Sequence, residues 1–584
     1  MRVSMRVHCV LPVFLALMVG CKGDESSYTR HPPEGGSSTG GTVTATCDVG
    51  VSTGDVAAPV FWKNIQGQTS WFASPVVFDL DGNGSNELIA AYYSIYVLDS
   101  AGELIAELSD GDGRVYAGHV VVDLEGDGNT EIVAGNGSRV FAYEWNNGAP
   151  TLKAGWPANV NGAGTGPEVR GMAAGDLNGD GSIEIVVTTT ETAEEPDGGS
   201  QVWVFNPDGT LYQPDGLSWN AWPRYNAATG EGNDADRNGY GHHGYGCYGL
   251  NVGIGNIDDD SELEIIATYD NHHIQAFDHD GVAINASPWF TNRSNEYEGE
   301  RFTWGQFIRW VDPQVEEDHY HNHTGEWPHP SWTEWAQWTH SPPNIVDLDL
   351  DGRNEVLGVP NIEMHEPYET QAFGIMVLEG AHGDGSRSAM RKAGFETLKR
   401  GDLPVAVDGW YPPQAPPAAA TVNILGDERP EIIVSLNDWF MYAFDADGEQ
   451  LWRYNYSHQK DIMFASEPIV ADLNQDGSPE ILFTTYGDPG VLDSGNLVIL
   501  AADGTLLHDV SLPNTGENGN GNGAPAAPTV GDLDGDGELE IFIQTFEHGM
   551  DIYKVPGSTD NCLLWSTARG GPLRMGQPST ARRD

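Results

Sequence analysis

The chain has 584 residues and carries 86 Asp+Glu against 28 Lys+Arg, a formal charge of −58. That balance excludes a direct nucleic-acid binder, because phosphate recognition needs a basic surface, and it argues against electrostatic docking to anionic lipid. An apolar share of 39% with 73 Gly approaches a disordered composition, yet 18 Trp, 21 Tyr and 18 Phe supply a large core, and so many carboxylates in a compact chain call for a counter-charge.

In chain order, the first element is a leader. Arg2 and Arg6 precede a short apolar run, Val10 to Val19, which is too short to span a bilayer as a helix. The run ends in Leu17-Met18-Val19-Gly20-Cys21. This resembles the lipobox of bacterial lipoproteins, although Met18 stands where Leu is usual. The resemblance implies a signal peptide over 1–20, lipidation of Cys21, and attachment to a bacterial cell envelope, at the outer membrane or cell surface. An ordinary secretory signal and a secreted protein is the alternative. Residues 21–54 read as a polar, Gly/Ser/Pro-rich tether. Cys47 and Cys562 flank the region that follows, and in an exported protein they are candidates for a disulfide joining its ends; Cys247 is then left over.

Next comes one nonapeptide in eight copies, within 55–570. Its form is D-x-[DN]-x-[DN]-G-x-x-E. The candidate ligands at positions 1, 3, 5 and 9 are Asp79, Asp81, Asn83 and Glu87 in loop 1, and Asp123, Glu125, Asp127 and Glu131 in loop 2. Loop 3 offers Asp176, Asn178, Asp180 and Glu184, and loop 4 offers Asn256, Asp258, Asp260 and Glu264. Loop 5 offers Asp347, Asp349, Asp351 and Glu355. Loop 6 runs from Asn423 to Glu431 and has lost its third-position oxygen to Leu425. Loop 7 offers Asp472, Asn474, Asp476 and Glu480, and loop 8 offers Asp532, Asp534, Asp536 and Glu540. Short oxygen side chains at alternate positions converge when a loop turns tightly, and Ca²⁺ takes six to eight such hard ligands. An EF-hand opens the same way, but its closing Glu comes at position 12 between helices. Here the acid comes at position 9, between β-rich runs such as PVVF before Asp79 and EIIVSL after Pro430. Several Ca²⁺ ions are therefore the expected cofactor. Polar turns without metal are the plain alternative.

Further apolar runs lead to Asp-Gly hairpin signals at Asp208-Gly209, Asp280-Gly281, Asp447-Gly448 and Asp503-Gly504. Each unit then reads as four antiparallel strands, which is a propeller blade. The loops and their flanks resemble FG-GAP/VCBS repeat proteins, whose integrin-α-like β-propellers hold Ca²⁺ in loops of this type. The resemblance implies an all-β chain with a single β-propeller. Eight loops point to eight blades; seven, as in integrin α chains, is the alternative. Residues 571–584 are expected to form a C-terminal tail.

Long insertions fall in the middle units, over 185–255, 276–345 and 362–420. They hold a concentration of aromatics: ten of the 18 Trp lie between Trp203 and Trp338. Exposed Trp beside carboxylates would suit sugar stacking, whereas buried Trp would pack the insertions onto the blades. The insertions also carry His242, His319, His321, His323 and His365 with Glu366. His319, His321 and His323 share one side of an extended segment, which allows a second, transition-metal site; ordinary loop histidines are the alternative. No recognised catalytic motif is present. The expected role is a non-enzymatic surface binding or adhesion module, with a glycan or protein ligand on the propeller face, no nucleic acid, and membrane contact only through lipid. The alternative is a propeller-type polysaccharide lyase or other glycan-active enzyme, with His242, His319 or His321 as base.

Overall fold

In the computed structural model, the sequence's short β-branched runs become short strands, and each acidic nonapeptide joins the first strand of a sheet to its second. The structure describes residues 46–50, 54–108, 113–146, 148–160, 167–190, 202–213, 249–269, 274–291, 303–305, 308, 310–317, 334–338, 341–363, 370–401, 418–457, 463–487, 494–513, 521–546, 548–560 and 562–578. All lie within the unit Gly36–Asp584. Helix among them is limited to Pro313–Glu317 and short 3-10 turns. No described helix is long and apolar enough to cross a membrane.

The strands form eight antiparallel sheets, one for each loop in chain order. Sheet 1 runs Val76–Phe78, Glu87–Ala91, Ile95–Leu98, Leu104–Leu108, and sheet 6 runs Ala420–Val422, Glu431–Ser435, Phe440–Phe444, Gln450–Asn455, each pairing strand to next strand. In sheets 3 and 4 a fourth strand is reduced to single bridges, Phe205 to Leu211 and Phe277 to Ala283. The second strands are buried along their whole length, as in Glu184–Thr189 and Glu264–Thr268, because neighbouring sheets cover both faces. The first strands of successive sheets face one another (Val169–Gly175 against Val252–Gly255, and that strand against Asn344–Val346), so the sheets stand as blades around a ring.

The ring closes in three ways. Val60–Ile65, from the N-terminal end, is the fourth strand of sheet 8, beside Met550–Val555. Its neighbour sheet 1 is joined by the Gln544 side chain, whose Nε2 donates to the Ala91 carbonyl (2.6 Å). Cys47 and Cys562 form a disulfide across 515 residues. Residues 46–50, read from sequence as part of the tether, instead donate the Thr46 and Cys47 amides to Gly477 O and the Gly50 amide to Gln475 O in loop 7.

The C-terminal boundary also differs from expectation. The segment 562–577 passes along the first strands of six sheets. Its carbonyls accept from Asp472 (at Cys562), Val530 (at Ser566), Val121 (at Pro572), Ala174 (at Leu573), Ile254 (at Met575) and Ile345 (at Gly576). A tail beginning at 571 is thus corrected: 571–577 lines the ring, because the first strands have spare amide donors there. Arg574 is buried and donates to the carbonyls of His119, Ala568 and Ser74. Arg569 is buried too and bonds Asn344 Oδ1 and the Pro343 carbonyl.

Three described tryptophans of the insertions are core, and Trp289 packs half-buried against them. Trp304, Trp310 and Trp338 are fully buried in one cluster with Ile257, Ile345 and Met376, and Trp338 Nε1 donates to the Ile308 carbonyl (3.0 Å). They pack the insertion onto sheets 4 and 5, which is the packing alternative rather than the sugar-stacking one. Trp219, Trp222, Trp327 and Trp332 lie outside the described residues.

Candidate metal centres in the strand-joining loops

Each loop is built the same way. The closing Glu begins the second strand, where its side chain is buried, and its Oε2 accepts from the amide of loop position 2. The pairs are Leu80 to Glu87 (3.0 Å), Leu124 to Glu131 (2.9 Å), Leu177 to Glu184 (3.0 Å) and Ile257 to Glu264 (2.5 Å). They continue with Leu348 to Glu355 (2.9 Å), Ile424 to Glu431 (2.7 Å), Leu473 to Glu480 (2.7 Å) and Leu533 to Glu540 (2.8 Å). Position 2 itself is apolar and buried in all eight loops. One oxygen of each closing Glu is thus committed to the fold, and in loops 1, 2, 4 and 8 the carboxylate also clusters with the loop's other acids.

The position 1 Asp caps the turn. Asp79 accepts from the amides of Asn83 and Gly84, Asp123 from Asp127 and Gly128, Asp176 from Asp180 and Gly181, and Asp347 from Asp351 and Gly352. Position 6 needs a left-handed backbone for this turn, with φ from 86° to 90° at Gly84, Gly128, Gly181, Gly352, Gly477 and Gly537. Neighbouring loops are stitched through position 8. Ile183 N donates to Leu124 O (2.9 Å), Leu263 N to Leu177 O (2.9 Å), Asn354 Nδ2 to Asn256 O (2.7 Å) and Asn86 Nδ2 to Asp532 O (2.6 Å).

Ligand oxygens converge to within 4.8 Å of one another in five loops: Asp79, Asp81 and Glu87; Asp123, Glu125 and Glu131; Asp258, Asp260 and Glu264; Asp347, Asp349 and Asp351; Asp532, Asp534 and Glu540. Loops 3 and 7 carry Asn at position 3. There Asn178 Nδ2 donates to Asp180 Oδ2 (3.1 Å) and Asn474 Nδ2 to Asp476 Oδ2 (3.0 Å), so the position 3 and 5 side chains meet in both loops. Loop 6 offers no oxygen at position 3; its Arg429 turns to Asp447 through two bonds of 2.9 Å.

Burial drives the closing carboxyls upward, and the like charges around them add to it. Glu184 is pushed to about 7 by burial, with Asp180 and Asp176 contributing. Glu480 is pushed to about 8 by burial, with Asp472 and Asp476 contributing. Glu264 is pushed to about 9 by burial, with Asp258, Asp260 and Asp278 contributing. Its Oε1 is a buried acceptor with no hydrogen-bond partner. A hard cation at the centre of the loop would satisfy that oxygen and reverse the repulsion, so these residues fit Ca²⁺.

Three lysines at the loops were not singled out from sequence. Lys153 Nζ lies 2.8 Å from Glu125 Oε1 and 3.1 Å from Glu131 Oε1. Lys392 Nζ lies 2.6 Å from Asp349 Oδ2 and 2.8 Å from Glu355 Oε1. Lys554 Nζ lies 2.5 Å from Asp534, 2.8 Å from Asp536 and 3.3 Å from Glu540. A signal for two of them exists in the chain: Lys153-Ala154-Gly155-Trp156 and Lys392-Ala393-Gly394-Phe395. Cys21, His242, His319, His321, His323, His365 and Glu366 lie outside the described residues.

An FG-GAP-like repeat family model matches residues 123–187 and 472–543, each segment starting on the first Asp of a loop. A search of curated protein sequences returns no match. Among solved structures, the chain is similar to the Vibrio cholerae biofilm matrix protein Bap1, at 15% identity and a TM-score of 0.36, covering 86% of this chain and 92% of that one. It is similar to a Bacillus licheniformis rhamnogalacturonan lyase at 13% identity and a TM-score of 0.37, covering 92% and 97%. It is also similar to the Dos1 propeller at 10% identity and a TM-score of 0.38, covering 86% and 96%. Repeats matched early and late in the ring, and strands arranged as blades, support an FG-GAP-repeat β-propeller.

Proposed function

We propose that the chain is a calcium-stabilised propeller serving as a non-enzymatic binding and adhesion module, held to a bacterial cell envelope by lipid on Cys21. The observation that carries the calcium part is Glu264, whose Oε1 is buried without a hydrogen-bond partner and whose carboxylate clusters with those of Asp258 and Asp260. A carboxylate so placed is costly without a cation. Thirty of the 86 acids lie in the eight nonapeptides, so the same need recurs around the ring. The binding role is supported by the long insertions of the middle units, over 185–255, 276–345 and 362–420, and by the polar stretch that separates Cys21 from the repeats. Its ligand would be a glycan or a protein.

The calcium reading is tested by melting curves with and without EGTA, on protein shown beforehand to contain calcium. A large drop in Tm is expected, since each site adds about 2.7 kcal/mol when free calcium is 100 times Kd; an unchanged curve removes the reading. The binding role is tested on a glycan array together with an assay for unsaturated sugar products. Binding without cleavage is expected, and turnover would make the protein an enzyme instead. Fatty-acid labelling of wild type, lost in Cys21→Ser, tests the anchor.

A further inference from the structure

The eight loops divide by where their positive charge comes from. In loops 2, 5 and 8 a lysine ammonium bridges the carboxylates of positions 3 and 9: Glu125 with Glu131, Asp349 with Glu355, and Asp534 with Glu540. These are the two positions a metal would draw together. In loops 1, 3, 4 and 7 no ion pair joins the ligand carboxylates to Lys or Arg among the described residues. Acids stand there instead, Asp99 beside Glu87 and Asp278 beside Glu264.

We propose that Lys153, Lys392 and Lys554 are resident counter-ions that take the metal position of loops 2, 5 and 8, confining calcium to loops 1, 3, 4 and 7. The proposal rests on the calcium reading above. Two backbone routes deliver the ammonium to one place. Glu131 pairs across the sheet with Glu144, and Glu355 with Glu379. The Lys153 amide donates to the Ala142 carbonyl and the Lys392 amide to the Val377 carbonyl, in each case two residues before that cross-strand partner. Lys153 and Lys392 therefore occupy equivalent positions in sheets 2 and 5. Each is followed by a left-handed glycine, Gly155 or Gly394, packed against the Asp-Gly turn of the next sheet at Asp208 or Asp447, where no Cβ would fit. Lys554 comes by the second route, as the direct cross-strand partner of Glu540.

An ammonium and a divalent ion cannot share these oxygens. Calcium sits 2.3–2.6 Å from its ligands, and an ammonium nitrogen about 2.8 Å from its acceptors. Bound to the same two carboxylates, the two cations would be near contact and would repel. Glu264 fits this division: its free oxygen is buried without a hydrogen-bond partner in a loop with no lysine, whereas Glu540 Oε1, also without a hydrogen bond, has Lys554 Nζ 3.3 Å away.

The test is calcium stoichiometry by equilibrium dialysis and elemental analysis, on wild type and on Lys153→Met, Lys392→Met and Lys554→Met, with folding checked by circular dichroism. Four ions per wild-type chain are expected, and one more in each variant. A wild-type count above four overturns the proposal, whether or not any variant folds. So does a folded variant that gains no ion. A count of zero throughout removes the calcium reading itself, a result distinct from both.

Discussion

Loops 4 and 5 sit on adjacent blades and share one construction. Ile257 N donates to Glu264 Oε2 in the first, and Leu348 N to Glu355 Oε2 in the second. Both glutamates are buried. Burial raises both, yet Glu264 rises to about 9 and Glu355 to about 7, because Lys392 offsets part of the desolvation in loop 5 and only acids surround Glu264. The same nine-residue frame thus creates the same demand for positive charge, and the source of the charge is a separate decision made elsewhere in the chain. The acidic repeat is the constant element of the fold and the counter-ion is the variable one.

Chelation is the strongest way to break the comparison. EGTA should unfold or loosen the lysine-free loops while the lysine-filled ones keep their ion pairs. With about 2.7 kcal/mol per site at 100 times Kd, four sites together give on the order of 10 kcal/mol. Hydrogen exchange read by mass spectrometry should show the loss at 79–87, 176–184, 256–264 and 472–480, and little change at 347–355. Equal exposure of all eight loops would dissolve the distinction.

Lys392→Met attacks the other side. Lys392 and Glu355 are both nearly inaccessible, at 6% and 3% of side-chain exposure. Removing one member of a buried ion pair strands the other, at a cost of about 3 kcal/mol. Urea unfolding in EGTA should show that loss, and added calcium should recover much of it by entering the vacated loop. A variant equally unstable with and without calcium would mean that the metal has no access there.

These two experiments also mark what was legible from sequence. The loops, their clustered carboxylates and the sheet that follows each one could be read directly, because Asp79 to Glu87 and its copies repeat a spacing that only a tight turn explains. The Cys47–Cys562 pairing was a candidate for a related reason, since the two residues bracket the repeats. The pairing of the lysines with the loops was not legible, even though Lys153 and Lys392 share a Lys-Ala-Gly-aromatic segment. Lys392 is 37 residues from Glu355, and only the strand register brings them together. The ring-lining segment 562–577 was hidden too. It occurs once, without periodicity, and its bonds run mainly through backbone carbonyls that carry no side-chain signature.

The pH response sharpens the comparison further. In chelated protein Glu264 has a folded value of about 9 against an ordinary 4.5. The folded state therefore holds this proton more tightly than the unfolded chain. Its stabilising effect is complete below pH 4.5 and is lost as pH rises through about 9. Chelated wild type should lose stability between pH 6 and pH 9, by about 1 kcal/mol per pH unit for each such carboxyl. Glu264→Gln cannot ionise, so its stability curve should be flatter over the same window. In calcium the order reverses, because an amide at this position is a poorer ligand than a carboxylate and one ion should be lost. An unchanged slope in the variant would show that Glu264 is not the titrating group.

Lys554→Met is the finest test, because Lys554 is the most solvent-exposed of the three lysines. Its side chain retains 24% exposure, against 6% for Lys392. Water and salt therefore screen its pairs with Asp534 and Asp536, and such pairs contribute about 0–1 kcal/mol. The ammonium also lies 5.0 Å from the Trp62 ring centroid, which adds about 0.5 kcal/mol. The substitution should cost less than Lys392→Met in EGTA, where it leaves one enclosed carboxyl, Glu540, without its neighbour at 3.3 Å, and the share from the two exposed pairs should shrink as salt rises. The cost of Lys392→Met should change less over the same salt range, because the ammonium and its partner Glu355 are both enclosed, although Asp349 is not. Equal salt dependence in the two variants would mean that burial does not set the strength of these internal counter-ions, and the contrast between loop 4 and loop 5 would then need another cause.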